Sequence, residues 1–280
     1  MTDRPQTRIF VDGGDPAESQ QVKDALGYLD GQTTNPTLVS KNPHIRERIE
    51  KGRLASDELL AEYRKIVEEV SKTVPDGSVS IEVYADRETT AEAMLTQGRE
   101  MFTWISNAHI KFPTTTAGLT AAEQAVSDGM RVNLTLCFSQ AQAAAVYAAT
   151  RGAKKGQVFV SPFIGRLDDR GENGMSLIEN ISKMYQAGDG HVELLTASVR
   201  SVGHFQRALD LHSDIITAPA TIILEWAKGS PAQPPDTDGL KDIPYQELDL
   251  GADWHSFDLQ HDLTDAGIER FSADWNALLS

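Results

Sequence analysis

A lysine set among apolar residues is the first side chain in this sequence that could do chemistry. Lys111 lies in His109-Ile110-Lys111-Phe112-Pro113-Thr114-Thr115, between two large hydrophobes and ahead of a proline. Burying an ammonium is costly, and a buried lysine tends to shed its proton and become a nucleophilic amine. Such an amine can attack a carbonyl and form a Schiff base. A lone strand lysine is more commonly an edge residue with its head in water, so the reactive reading needs partners elsewhere in the chain.

Strand parity supplies those partners, because successive side chains of a strand face opposite ways. Phe10 and Asp12 share a face in the segment 8–13, and Thr33 with Asn35 in 32–35. Ser80 and Glu82 oppose Val79, Ile81 and Val83, while His109 and Lys111 oppose Ile110 and Phe112. Asn133 and Thr135 oppose Val132, Leu134 and Leu136. Ser161 and Phe163 oppose Val160, and Thr196 and Ser198 oppose Leu195, Ala197 and Val199. Arg166 and Arg200 follow directly after two of these strands. Carboxylates beside an amine suit carbanion chemistry through an iminium, and paired guanidinium groups suit a phosphate monoester.

The elements that must position these groups read as eight strands, each followed by a helix. Strands are expected over 8–13, 32–35, 79–84, 109–113, 131–138, 157–163, 191–199 and 214–219. Helices are expected at about 16–26, 44–74, 88–100, 116–128, 139–151, 174–186, 202–211 and on through Trp226. Repeated βα units imply a parallel sheet, and eight of them imply a single closed (β/α)8 TIM barrel, with a doubly wound open sheet as the alternative. Polar groups gathered on one parity near the strand C-termini are what an active site on that face of a barrel requires. The whole chain, 1–280, reads as one domain with an extension from about 229 to 280. Residues 229–239 are a loop by composition. Leu263, Ile268, Phe271, Trp275 and Leu278 make one face of a final helix, expected to dock outside the barrel, with the barrel mouth as the other option.

Composition narrows the function class. Of 280 residues, 40% are hydrophobic and 24% charged, and the net charge is −15. That charge argues against nucleic acid and against an anionic membrane surface, since both need basic patches. A single cysteine, Cys137, forms no internal disulfide and fits a reducing compartment, so a cytoplasmic location is expected. Neither a signal-peptide pattern nor a membrane span is evident. The sequence leaves a homo-oligomer open.

The motifs that carry these residues resemble those of the transaldolases. They are Phe10-Val-Asp12-Gly-Gly-Asp, Thr33-Thr-Asn35-Pro-Thr, Val79-Ser-Ile-Glu82-Val and Ile110-Lys111-Phe-Pro. Three more are Asn133-Leu-Thr135-Leu-Cys-Phe-Ser, Ser161-Pro-Phe163-Ile-Gly-Arg166-Leu-Asp-Asp and Ala197-Ser198-Val-Arg200. The resemblance covers most of 8–228, and 263–278 looks like the family's C-terminal helix. It implies a transferase without cofactor or metal that moves a dihydroxyacetone unit between sugar phosphates in the pentose phosphate pathway. Lys111 would form the Schiff base, and Asp12 would exchange the proton of the C4 hydroxyl. Glu82 and Thr135 would hold the water of imine formation and hydrolysis. Asn35, Asn133 and Ser161 would bind the hydroxyls of the three-carbon unit, while Arg166, Ser198 and Arg200 would hold phosphate.

The related fructose 6-phosphate aldolases carry glutamine where Glu82 stands and tyrosine where Phe163 stands. The resemblance therefore implies transfer over lysis, with the aldolase as the runner-up and a non-catalytic sugar-phosphate binder as the third possibility. Gly13-Gly14 departs from the family pattern, and 41–74 and 231–262 carry no family motif. Taken singly, Asp12 and Asn35 also suit turns, and Arg166 and Arg200 could pair with Asp168 and Asp169.

Overall fold

Eight parallel strands close into a barrel in the computed structural model, which describes residues 4–229 and 234–280. The strands are β1 (Arg8–Asp12), β2 (Gly31–Thr33), β3 (Ser78–Glu82), β4 (Ala108–Pro113), β5 (Val132–Cys137) and β6 (Val158–Pro162), followed by β8 (Val192–Thr196) and β9 (Ile215–Ala218). Each pairs with the next, and β9 returns to β1 through Arg8↔Ile215 and Phe10↔Thr217. Two short strands, β7 (Glu172–Asn173) and β10 (Lys241–Asp242), pair outside the barrel. The open sheet is thereby excluded. Of the loop reading at 229–239, residues 230–233 lie outside the described residues.

Sequence chemistry explains how the strands hand over to helices. Thr90, Thr115, Ser139 and Ser201 each stand at a helix N-cap, and each side chain accepts a backbone N–H from the first turn. Such caps satisfy donors that a helix start leaves orphaned, at about 1 kcal/mol apiece. Asp15 does the same for Pro16–Leu26, a helix that Gly27 ends at φ 80°. All these starts face one end of the barrel, so the loops there are short and ordered.

The apolar strand parity packs against the helices. Ile9, Val11, Val79, Ile81, Ile110, Phe112, Val132 and Leu134 are all fully buried. Inside the barrel, near the strand N-termini, the His109 ring stacks on Phe159 at 4.0 Å and Phe10 meets Phe159 edge-on at 6.2 Å. Removing such a buried ring costs about 3–5 kcal/mol. His109 hydrogen-bonds Ser78 Oγ at 2.7 Å and the Gly156 carbonyl at 3.0 Å, and burial pushes its pKa down to about 3. It is therefore a neutral structural histidine. Arg8 and Glu193 pair at 2.9 Å at this same end.

The C-terminal helix, Asp262–Asn276, corrects the expectation of an outside dock. Thr264 Oγ1 donates to the Leu136 carbonyl at 2.9 Å, and Gly267 lies against the Leu136 side chain. Ile268 and Phe271 line a small cleft together with Glu82, Val83 and Pro113. The helix therefore lies over the barrel mouth. Its bare Gly267 permits the close approach, since a Cβ there would overlap Leu136 Cδ2. Leu54 anchors the chain end beyond this helix: its N–H donates to the Leu278 carbonyl at 3.0 Å, and its carbonyl accepts from Ser280 at 2.9 Å. The expected helical stretch 44–74 is two helices, Pro43–Glu50 and Ser56–Thr73, and Leu54 sits between them.

Candidate active site

Lys111 lies at the mouth end of β4 and is 3% exposed. Register places it opposite Glu82 on β3 and opposite Asn133 on β5. Its Nζ donates to the Thr34 carbonyl at 2.7 Å and lies 2.8 Å from Glu82 Oε2. The edge-strand alternative, an ammonium in water, is thus wrong for this lysine. Two fixed acceptors hold the amine inside the barrel.

Two carboxylates flank that amine. Asp12 ends β1, half-buried, and accepts from Thr33 Oγ1 at 2.8 Å. Desolvation raises its pKa, against the opposing pull of Lys111. Glu82 is also raised, first by desolvation, with Lys111 and Arg166 acting the other way. Burial disfavours the charged form of an acid, so both groups accept a proton more readily than a surface carboxylate does. That is the tuning a general acid–base pair needs.

The amides and hydroxyls form a directed run across the interior. Ser161 Oγ donates to Asn133 Oδ1 at 2.6 Å, and Asn133 Nδ2 donates to Ser80 Oγ at 3.1 Å. Thr135 is fully buried, yet its Oγ1 has no hydrogen-bond partner among the described residues. A β-bulge lies beside it: Leu134 pairs with Val160 but Cys137 with Pro162, so β5 carries one extra residue. Within the bulge Leu136 adopts φ 57°, an uncommon conformation for a branched side chain and a frequent feature next to active sites.

Asn35 departs from the expected strand position. β2 ends at Thr33, and Asn35 caps the helix Pro36–Val39 by accepting the Leu38 N–H at 2.9 Å. Its turn-forming role is therefore real, and its amide nitrogen carries no hydrogen bond among the described residues. Phe163 keeps its strand-end position through a parallel bridge to Ala197, and it is also the N-cap of a short helix Ile164–Asp168 that holds Arg166 where a loop was expected.

The two arginines differ. Arg166 lies over Phe163 at 5.4 Å and Phe271 at 5.3 Å, with no carboxylate in ion-pair contact among the described residues. Burial and then the nearby Arg270 disfavour its charge, so an incoming anion would relieve it. Arg200 is exposed and gripped by both oxygens of Asp169, one of them 2.7 Å from Nη2. The expected alternative pairing thus holds for Arg200 and fails for Arg166, while Asp168 pairs instead with His204 at 3.1 Å. A Cβ at Gly165 would overlap both Arg200 Nε and the Ser198 carbonyl, so only glycine lets these two β8-end groups close on the Arg166 helix. Ser198 itself stands at φ 59°.

Three contributors escaped the sequence. Thr34 offers a backbone carbonyl to Lys111, which no side-chain pattern signals. Thr217 on β9 shares a 2.6 Å contact with Thr33 and so joins the Asp12 network. Its place as the one polar side chain in Ile215–Ala218 is the signal that could have found it. Tyr63 reaches Glu82 N and Thr34 Oγ1 from an outer helix. Among the described residues no cluster of three or more His, Cys, Asp or Glu is arranged to hold a metal, and no helix is long and apolar enough to cross a membrane. A cavity of about 680 Å³ lies at the opposite barrel end, lined by Arg8, Ser78, His109 and Gly156. The candidate site is chosen by the constellation around Lys111 and not by cavity size.

Comparison with known proteins gives a consistent answer. The family model described as transaldolase/fructose-6-phosphate aldolase matches residues 9–280. A probable transaldolase of Dehalococcoides mccartyi is 33% identical over 97% of this chain and 99% of its own. Probable transaldolases of Brucella anthropi and Paracoccus denitrificans are 36% and 35% identical, each over 96% of both chains. Among solved structures, a putative dehydratase from Mesorhizobium loti superposes with TM-score 0.50 at 11% identity, over 82% of this chain and 58% of that one, a likeness of fold alone. The chain belongs to the transaldolase/fructose-6-phosphate aldolase family.

Proposed function

We propose that this protein is a transaldolase acting through a Schiff base on Lys111. The donor would be a ketose phosphate, sedoheptulose 7-phosphate or fructose 6-phosphate, and the acceptor an aldose phosphate, glyceraldehyde 3-phosphate or erythrose 4-phosphate. This places it in the non-oxidative pentose phosphate pathway and in the cytoplasm. The observation that carries the reading is the amine itself, buried and suspended between the Thr34 carbonyl at 2.7 Å and Glu82 at 2.8 Å.

The chemistry follows from the groups around it. Lys111 passes a proton to Glu82, its adjacent base, and the neutral amine adds to the C2 carbonyl. The resulting carbinolamine loses water to give the iminium. Asp12 takes the proton of the C4 hydroxyl as the C3–C4 bond breaks, and the aldehyde product leaves. The bond's electron pair stays on the three-carbon unit, where the iminium accepts it as an enamine. That enamine adds to the acceptor aldehyde, Asp12 returns the proton, and water hydrolyses the new iminium to free Lys111. Glu82 Oε2, in contact with the amine, and Thr135 Oγ1, buried without a hydrogen-bond partner among the described residues, are suited to hold that water. Asn133, Ser161 and the Asn35 amide nitrogen would bind substrate hydroxyls. Arg166, Arg200 and Ser198 would bind phosphate.

Phe163 favours transfer over lysis. It brings a ring and no hydroxyl to the mouth, packed against Phe138 at 5.9 Å. Releasing free dihydroxyacetone requires protonating the enamine, and Phe163 has no proton to give. Sodium borohydride added with fructose 6-phosphate tests the mechanism. A reduced three-carbon adduct on Lys111 is expected by peptide mass spectrometry. An adduct elsewhere, or none, would reject the reading.

A further inference from the structure

Tyr63 belongs to the outer helix Ser56–Thr73, in a segment without any family motif. Its ring is 1% exposed and meets Trp104 edge-on at 6.0 Å and Trp275 at 5.8 Å. A core aromatic needs no more than that. The hydroxyl, however, reaches between β2 and β3 to the two groups that hold the lysine. The Glu82 N–H donates to it at 2.9 Å, and Thr34 Oγ1 lies 2.5 Å away.

The proton directions can be worked out. Thr34 Oγ1 donates to the Ser80 carbonyl at 2.8 Å, so its one hydrogen is committed. The phenol must then be the donor to Thr34. The run is Glu82 N–H to Tyr63, Tyr63 O–H to Thr34, and Thr34 O–H to Ser80. Each hydroxyl gives one bond and takes one. Burial keeps the phenol protonated, so the donor it needs is always present. Two members of the run bear on the same atom, since the Thr34 carbonyl and the Glu82 carboxylate each contact Lys111 Nζ.

We propose that Tyr63 is a positioning residue for Lys111: its hydroxyl ties Thr34 on one strand end to Glu82 on the next and so fixes the two acceptors that aim the amine. The proposal rests on the Schiff-base reading above. Trp275, on the C-terminal helix, packs on the same ring, so the segment without a motif and the helix over the mouth converge on one anchor.

Tyr63→Phe removes the hydroxyl and keeps the ring. In the full-length protein, kcat for transfer is expected to fall about tenfold or more, because small misplacements of a reacting group are expensive. KM for fructose 6-phosphate should move less than twofold, since the phosphate contacts are untouched. Trp104→Phe disturbs the packing and spares the hydroxyl, so it should lower Tm while leaving kcat in place. Combining Thr34→Val with Tyr63→Phe should cost no more than the worse single change, because both break one run. A Tyr63→Phe protein with wild-type kcat, a matching kcat loss in Trp104→Phe, or multiplying losses in the double variant would each overturn the assignment. If wild-type protein forms no borohydride adduct on Lys111, the lysine chemistry and the positioning role fall together. A normal wild-type adduct beside an unimpaired Tyr63→Phe protein removes the positioning role alone.

Discussion

Lys111 and Glu82 face each other in the β3–β4 register, and Nζ and Oε2 lie 2.8 Å apart with neither residue more than 6% exposed. Register and parity make this contact unavoidable. Residues directly opposite on adjacent strands share a face, and this face is the barrel interior. Breaking a buried pair on one side leaves an uncompensated charge, at about 3–5 kcal/mol. Glu82→Gln is therefore expected to lower Tm measurably. Transfer should slow about a hundredfold through loss of the acid–base group, while the three-carbon adduct on Lys111 still forms under borohydride. A variant with wild-type turnover would remove Glu82 from the mechanism.

Arg166 is expected to carry most of the phosphate affinity. It rests between Phe163 and Phe271 without a carboxylate partner among the described residues, whereas Arg200 is already held by Asp169. Charge-assisted hydrogen bonds are worth about 1.5–3 kcal/mol. Arg166→Ala should thus raise KM for fructose 6-phosphate about tenfold to a hundredfold. Unphosphorylated fructose should be turned over as before. Arg200→Ala should do less, since an incoming phosphate must first compete with Asp169. Steady-state kinetics with the two sugars checks both expectations.

Phe163→Tyr should open a lytic channel. A phenol in place of the ring can protonate the enamine, so fructose 6-phosphate alone would release dihydroxyacetone without an acceptor. Wild type should release little. An assay that traps free dihydroxyacetone decides, and equal slow release from both proteins would remove Phe163 as the selector of transfer.

Asp12 supplies a pH-dependent stability signature. Burial raises its folded-state pKa above the ordinary 3.8. The stability contributed by its protonated form is therefore full below about pH 4 and is lost as pH rises through the higher folded value. Asp12→Asn has no such loss, and its amide oxygen can still accept from Thr33. The Tm of Asp12→Asn should exceed wild type by roughly 2 °C or more at pH 8 and differ little at pH 4. Transfer should collapse at both. A Tm gain that is largest at low pH would mean the sign of the Asp12 perturbation is wrong.

Much of the barrel was legible in the linear chain. Period-two alternation marked seven of the strands, and the repeating strand–helix pattern supplied the eighth at 214–219. Parity alone brought Asp12, Glu82, Lys111, Asn133, Thr135 and Ser161 to one face, because alternation is a local property of extended backbone. The misreadings fell where the chain leaves regular structure. Asn35 looked like a strand terminus, yet it caps a helix, whereas Phe163 does end its strand in a bridge to Ala197 and also stands at the N-cap of the helix that follows. The C-terminal helix showed its apolar face without showing what would cover it. An amphipathic stripe fits the outside of a barrel as well as its mouth, and only the Thr264–Leu136 hydrogen bond and the contact at Gly267 decide.

The sequence by itself determined the residue types and the face each would take. A reactive amine, two carboxylates, hydroxyl and amide donors and two arginines were committed by local alternation and by motif. The tertiary structure decided which of them touch. Whether Lys111 meets Glu82 or water, whether Arg166 or Arg200 is free for phosphate, and whether Tyr63 is a core ring or a clamp all depend on groups tens to hundreds of residues apart. Those contacts are set by barrel closure and strand register, which arise only when all eight strands pair at once.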